Sequence, residues 1–289
     1  MKLFFVTKIF LFERCFYKRF IRNLAFMQNI FKIVFLFHFC FGFCQQKNIV
    51  LTHLETQKTE ADAFVGKDAF GYNYTLSDNV FRKENKQQKW DYKNIALGRI
   101  EQVDLTNPLQ IVLFYKVMNA VVLLDNQLNE TIKLNFSETN PELLPQWVSL
   151  ATQNRLWLYD QASQKLGLYD YQKNTFQPIS VPFETPIIHS KSDYNYFYWV
   201  DNQQNLYVSN NYGKINFLGK TPEFDQIQII SSKQILLKKD NTLSIYDLEK
   251  ETSQIIPLPE KSFQSFYYKE QILSIFTDNE IRNYKIILP

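Results

Sequence analysis

Cysteine is missing from the chain beyond residue 44, because all three, Cys15, Cys40 and Cys44, fall at or before it. The last 245 of the 289 residues therefore hold neither a disulfide framework nor a thiolate metal site. Histidine is nearly as scarce there, with only His53 and His189, so three His or Cys ligands cannot be assembled around zinc, and only mixed His and carboxylate sites stay open. Each of the two reads as an ordinary turn or strand residue. Seven glycines and ten prolines exclude collagen-like and Pro/Gly low-complexity sequence. The glycines at 66, 71, 98, 167, 213 and 219 form no phosphate-cradling loop, and Gly-x-Ser-x-Gly and a Cys–His pair are absent. Asp-x-Asp-x-Asp-Gly does not occur, which removes a calcium loop of that kind. No catalytic, cofactor-binding or metal-ligating residue is assigned.

Basic residues are also in short supply once the chain is divided. Residues 1–44 hold 13 of the 26 Phe, seven Lys/Arg and the single acid Glu13. The remaining 245 residues have 25 basic and 28 acidic side chains, a net charge of −3 where the whole chain has +3. With no basic cluster, nucleic acid is not the expected ligand. In the first part, Ile33-Val-Phe-Leu-Phe-His-Phe-Cys-Phe41 is an apolar run after Lys32, followed by Gly42-Phe43-Cys44 and polar Gln45-Gln46. A basic flank, a short apolar stretch and small residues at −3 and −1 read as a signal peptide cleaved between Cys44 and Gln45. The run is too short for the roughly 20 apolar residues of a membrane helix. Met27 to Cys44 makes a leader of 18 residues, and residues 1–26 read as an extension from an over-early start or as a long basic region. An uncleaved anchor and an acylated Cys44 are the alternatives, the second disfavoured by the bulky Phe43 before it. The expected location is the periplasm or cell surface, with anchoring in the inner membrane as the alternative. The sequons at Asn73, Asn129 and Asn135 are read as chance.

Residues 45–289 read as one repetitive domain. A short apolar or aromatic run ends in Asp-Asn or Asp-Gln and is followed by a second strand-like run. The aspartates of these units are Asp78, Asp125, Asp160, Asp201, Asp240 and Asp278, spaced 47, 35, 41, 39 and 38 residues apart. A period of about 40 residues is that of a four-stranded propeller blade. Asp and Asn tolerate positive φ and hydrogen-bond their own backbone, so the pair turns a hairpin without glycine. Their regular placement gives these six aspartates a structural role in turns. Runs such as Tyr194-Asn-Tyr-Phe-Tyr-Trp-Val200 are short, aromatic or β-branched and bounded by turn signals. No run beyond residue 44 keeps apolar residues at helical spacing over three turns with a cap and a stop. The fold class is all-β, a β-propeller of six blades, with five or seven as the alternatives.

The chain ends sharpen this. After Asp278 there is room for one strand only, and Asn48-Ile-Val-Leu-Thr52 is an unpaired strand ahead of the first unit. Strand 48–52 is expected to complete the last blade, which removes both sheet edges. The segment from Leu97 to Pro108 reads as a long connection between blades and a place for a partner.

On these units the chain resembles bacterial exported β-propellers of the broad class that includes outer-membrane assembly factors, quinoprotein-like and WD40-like repeats. The likeness is architectural and covers residues 47–289. The Gly-His and Trp-Asp signatures of WD40 repeats and the Trp-docking features of quinoprotein blades are missing, and the Lys, Asn, Gln, Ile and Phe bias is similar to that of AT-rich Bacteroidetes-type bacteria. The resemblance implies a non-catalytic, protein-binding or scaffold module of the cell envelope, a monomer that needs no cofactor. The partner is a protein, with a glycan as the other candidate; contact with the membrane comes only through an uncleaved leader or an envelope partner. A carboxylate-dependent glycosidase or lyase and a membrane-anchored sensor are the competing readings. Dense aromatics, including Tyr194, Tyr196, Phe197, Tyr198, Trp199, Phe263, Phe266, Tyr267 and Tyr268, are expected to divide between the packing of blades and the surface.

Overall fold

The computed structural model describes residues 49–288. The proposed leader, its boundaries at 27 and 44 and the Cys44/Gln45 cleavage point lie outside the described residues. The domain from Ile49 onward is a ring of six antiparallel four-stranded sheets. Strand β1 (Leu51–Lys58) comes first in the chain. Blade 1 is built from β2 (Ala63–Lys67), β3 (Asn73–Ser77), β4 (Val80–Glu84) and β5 (Lys89–Tyr92). Blade 2 is β6 (Gln102–Asp104), β7 (Ile111–Tyr115), β8 (Ala120–Leu124) and β9 (Glu130–Asn135). Blade 3 is β10 (Pro145–Leu150), β11 (Arg155–Asp160), β12 (Lys165–Asp170) and β13 (Thr175–Pro178). Blade 4 is β14 (Ile187–Ser192), β15 (Tyr196–Asp201), β16 (Asn205–Asn210) and β17 (Ile215–Lys220). Blade 5 is β18 (Gln226–Ile229), β19 (Gln234–Lys239), β20 (Thr242–Asp247) and β21 (Thr252–Ile255). Blade 6 is β22 (Ser265–Lys269), β23 (Ile272–Phe276) and β24 (Glu280–Ile286), completed by β1.

Closure by the N-terminal strand is therefore present, in the register Leu51 against Ile286 through Lys58 against Glu280. The strand is longer and later than residues 48–52. Its continuation, Thr52-His-Leu-Glu-Thr-Gln-Lys58, is polar because an outermost strand covers the sheet on one face only, and an apolar run therefore underestimates it. Ile49 is buried against blades 5 and 6 just ahead of the strand. A second difference concerns the segment 97–108. It is not all connection, since Gln102–Asp104 is the innermost strand of blade 2.

Alternation along the middle strands builds the core. In β7, Ile111, Leu113 and Tyr115 pack between blades 1 and 2, whereas Val112 and Phe114 pack between blades 2 and 3. Strand β11 does the same one blade later, with Leu156 and Leu158 facing blade 2 and Trp157 and Tyr159 facing blade 4. The aromatic run of blade 4 divides as expected: Phe197 and Trp199 are buried, while Tyr194 and Tyr196 are exposed. Every middle strand thus serves two interfaces. Such strands read as continuous apolar runs.

Candidate functional site

The first strands of successive blades lie against one another, β6 on β10, β10 on β14, β14 on β18, β18 on β22 and β22 on β2. All six border a central channel of about 430 Å³. Its wall is polar. From β6 comes Asp104, from β14 His189 and Lys191, from β18 Gln226 and Gln228, and from β22 Tyr267 and Lys269.

Several of these side chains sew one blade to the next. The Gln226 amide donates to the Phe266 carbonyl and accepts from the Phe266 N–H, both at 3.1 Å. Gln228 repeats the pattern on Tyr268 at 2.6 and 2.7 Å. Strand β18 thereby offers β22 the donor and acceptor that a neighbouring backbone would. Asp104 does half of this, its Oδ2 accepting the Leu150 N–H at 2.7 Å, and Lys191 does the other half, its Nζ donating to the Ile229 carbonyl at 2.7 Å. Where blade 6 meets blade 1 the device is steric. The Tyr267 ring lies over Gly66, where a Cβ would come within 2.9 Å of Cε2.

Enclosure by six strands sets the titration of the channel. Burial raises the Asp104 carboxyl, against the opposing pull of the Leu150 and Thr106 N–H groups. Burial, and then the Lys191 charge, lower the His189 imidazole to about 4, so it is neutral at pH 7. Lys191 is lowered by burial and by Lys269, while Asp193 and Asp104 act in the other direction. The Tyr267 phenol is pushed up to about 12 by burial and then by Asp104.

The six turn aspartates lie elsewhere. Asp78, Asp160, Asp201, Asp240 and Asp278 sit at the second hairpin of blades 1, 3, 4, 5 and 6. Each joins its turn to a residue one or two positions ahead of the same blade's first strand. Asp160 Oδ1 accepts from the Leu144 N–H at 2.8 Å, Asp201 Oδ2 from Thr185 Oγ1 at 2.9 Å and Asp278 Oδ1 from Gln264 Nε2 at 3.0 Å. In blades 1 and 5 the roles reverse, with the Asp78 and Asp240 N–H groups donating to Asp62 and Asp225. Asp125 departs from the set, since it lies between β8 and β9, the third hairpin of blade 2, at the opposite face of the ring. Its turn is locally the same as that of Asp201. In Asp125-Asn-Gln-Leu-Asn129 and Asp201-Asn-Gln-Gln-Asn205 the carboxylate accepts the N–H two and four residues on and the Asn side chain, and the fourth residue has a φ of 62° or 65°. One turn motif serves two hairpins, which is the source of the uneven 47 and 35 residue spacings.

The two faces of the ring differ in chemistry. The face made by first and third hairpins carries exposed aromatics. Phe70 is 68% and Tyr212 92% exposed, and a groove of about 410 Å³ between blades 1 and 2 is bordered by Phe70, Tyr72, Trp90 and Leu109. At its floor the Lys83 ammonium lies 4.5 Å from the Tyr72 ring centre and donates to the Asn126 carbonyl at 2.9 Å. The other face exposes aliphatics, Ile95, Val117 and Val181 among them.

The channel as such was not legible in the sequence: His189 and Tyr267 stand out only singly, and Gln102 and Asp104 fall in a segment that reads as connection. The signal for it was the polar-apolar-polar alternation of Gln102-Val-Asp104 and Gln226-Ile-Gln228, which marks strands with one face in a core and one in water. Among the described residues no cluster of three or more His, Cys, Asp or Glu is placed to hold a metal ion, and no helix is long and apolar enough to cross a membrane.

No protein-family profile and no curated protein sequence matches the chain. Solved structures do. A streptogramin B lyase superimposes with a TM-score of 0.54 at 9% identity, over 83% of this chain and 98% of that one. The β-propeller domain of Cps50 (Swd1) from Myceliophteria thermophila gives 0.55 at 6% identity, over 82% and 100%. BBS1N in complex with ARL6DN gives 0.51 at 9%, over 82% and 96%. At such identities the likeness is one of fold, and the chain is a six-bladed β-propeller.

Proposed function

We propose that the chain is an exported, non-catalytic propeller that holds a protein partner on its aromatic face and serves the cell envelope as a scaffold. The observation that carries this reading is the unequal use of side chains. The acids of the channel are tied to backbone N–H groups, Asp104 by Leu150 and Thr106, whereas Phe70, Leu109 and Tyr212 stand free on the hairpin face. Exposed aromatics rimmed by polar residues are the usual anchors of protein interfaces. One of the similar propellers was itself solved in complex with another protein.

Affinity capture from envelope extracts tests the reading when the native chain is compared with a Phe70→Ser/Leu109→Ser/Tyr212→Ser variant. A partner kept by the first and lost by the second supports it. Retention of the same proteins by both, or glycan cleavage with no partner kept, shows it to be wrong. N-terminal sequencing of exported material should begin at Gln45; intact residues 27–44 in the membrane fraction would favour the anchored sensor instead.

An enzymatic reading has one observation in its favour, the grouping of Asp104, His189 and Lys191 along one channel, on a fold shared with a lyase. Turnover of a glycan substrate that disappears in Asp104→Asn would establish it.

A further inference from the structure

We propose that the channel end formed by the first hairpins binds a small oxyanion, a carboxylate- or phosphate-bearing molecule of metabolite size, between Lys191 and Lys269. Both lysines border the channel, one near the end of β14 and the other at the end of β22, so the topology brings them to the same mouth. Neither makes an ion pair among the described residues. The Lys191 ammonium spends one of its three donors on the Ile229 carbonyl. The Lys269 ammonium has no hydrogen-bond partner among the described residues.

Two acids also line the channel, Asp104 and Asp193, and their oxygens are held largely by backbone N–H groups rather than by the lysines. Asp104 gives Oδ1 to the Thr106 N–H at 2.9 Å and Oδ2 to the Leu150 N–H at 2.7 Å. Asp193 gives Oδ1 to the Asn195 and Tyr196 N–H groups, both at 2.8 Å. Three of these four carboxylate oxygens are thus engaged by backbone N–H groups, while the Lys269 ammonium and two of the three Lys191 donors stay open to form charge-assisted bonds with an anion. The neutral His189 ring adds a donor without adding charge. A volume of about 430 Å³ falls within the roughly 300–1,000 Å³ of small-molecule sites. This site goes beyond the scaffold reading and is independent of it, since the hairpin face and the channel mouth are read by different experiments.

Calorimetric titration of the full chain with citrate, with inorganic phosphate and with uncharged sorbitol tests the proposal. Saturable binding of citrate or phosphate, but not of sorbitol, is expected, and which of the two binds separates an organic carboxylate site from a phosphate site. Lys269→Met removes an unpartnered group and should leave folding intact, yet weaken binding by about tenfold to a hundredfold, the worth of one charge-assisted bond. Lys269→Arg should restore most of it. No saturable heat with either anion, or equal affinity in the native chain and Lys269→Met, would overturn the site. Lys191→Met, checked for a cooperative melt, should show a loss of similar size.

Discussion

Blade 6 meets blade 1 differently from the way the other blades meet. Between blades 1 and 2, or 2 and 3, the middle strands interlock in broad apolar clusters around Tyr74, Phe81 and Ile111, or around Phe114, Phe136 and Tyr169. At the closing interface the buried apolar cluster shrinks to Phe64, Phe276 and Ile281, with Tyr267 beside them. Polar groups take the remaining space. Lys67 Nζ donates to Glu55 Oε1 at 2.8 Å, Ser274 Oγ to Asn283 Oδ1 at 2.6 Å and Asn73 Nδ2 to Gln57 Oε1 at 2.6 Å. Glu55 and Gln57 belong to β1, so the strand that completes blade 6 also grips blade 1. Apolar interfaces tolerate sliding, whereas a buried hydrogen-bonded network penalises any register that leaves a member unpaired. The join between the two ends of the chain is where register has to be specified over the longest distance in sequence.

Removing the grip should have the largest effect. Deletion of residues 49–58 takes away the fourth strand of blade 6, leaves β24 as a bare edge and strips Lys67 and Asn73 of their partners. Loss of the cooperative thermal transition, or a fall in Tm of more than about 10 °C, is expected. An unchanged melting curve would mean that the ring is held by its other five interfaces alone.

A cavity in an apolar interface ranks next. Trp157 is fully buried between blades 3 and 4, lies beside Phe197 and donates from Nε1 to the Asp193 carbonyl at 2.8 Å. Trp157→Ala should cost about 3–5 kcal/mol in denaturant unfolding. Lys67→Met in the seam should cost less, about 1–3 kcal/mol, because it leaves a half-exposed carboxylate that Lys86 also approaches, at 3.3 Å. The double variant Lys67→Met/Glu55→Gln should recover part of that loss. Strict additivity of the two single changes would show that the seam does not act as a network.

The same physics decides how much of this was open to sequence reading. Turn chemistry is local, so Asp78-Asn79, with φ of 49° and 60°, announces a two-residue hairpin wherever it stands, and the number of such signals yields six blades. Location in the blade is not local. Asp125 and Asp201 share a turn but not a hairpin, and only the pairing of β8 with β9 distinguishes them. Length hid β6, three residues with one apolar side chain, inside a segment that reads as connection. The channel was hidden for a related reason. A residue such as Lys191 or Gln228 faces water in an innermost strand as it would on any surface, and its surroundings come from five other blades.

The smallest effect is the acid response of the seam, and it separates a charged network from a merely polar one. The hydrogen bond from Lys67, with its charge, holds the Glu55 carboxyl below the usual carboxylate range. A carboxylate whose pKa is lower in the folded state contributes stability that is present above its unfolded value, near about 4.3, and is lost as pH falls through the folded value. Glu55 is partly open to solvent, which screens the contribution to under about 1 kcal/mol. Other lowered carboxylates, Asp91 among them, titrate in the same window, so the informative quantity is the stability difference between the native chain and Glu55→Gln. That difference should be largest above about pH 5 and close towards zero by about pH 3. A difference that stays constant across this window would mean that Glu55 acts through the geometry of its hydrogen bonds to Lys67 and Asn283 and that its charge adds nothing to the closure.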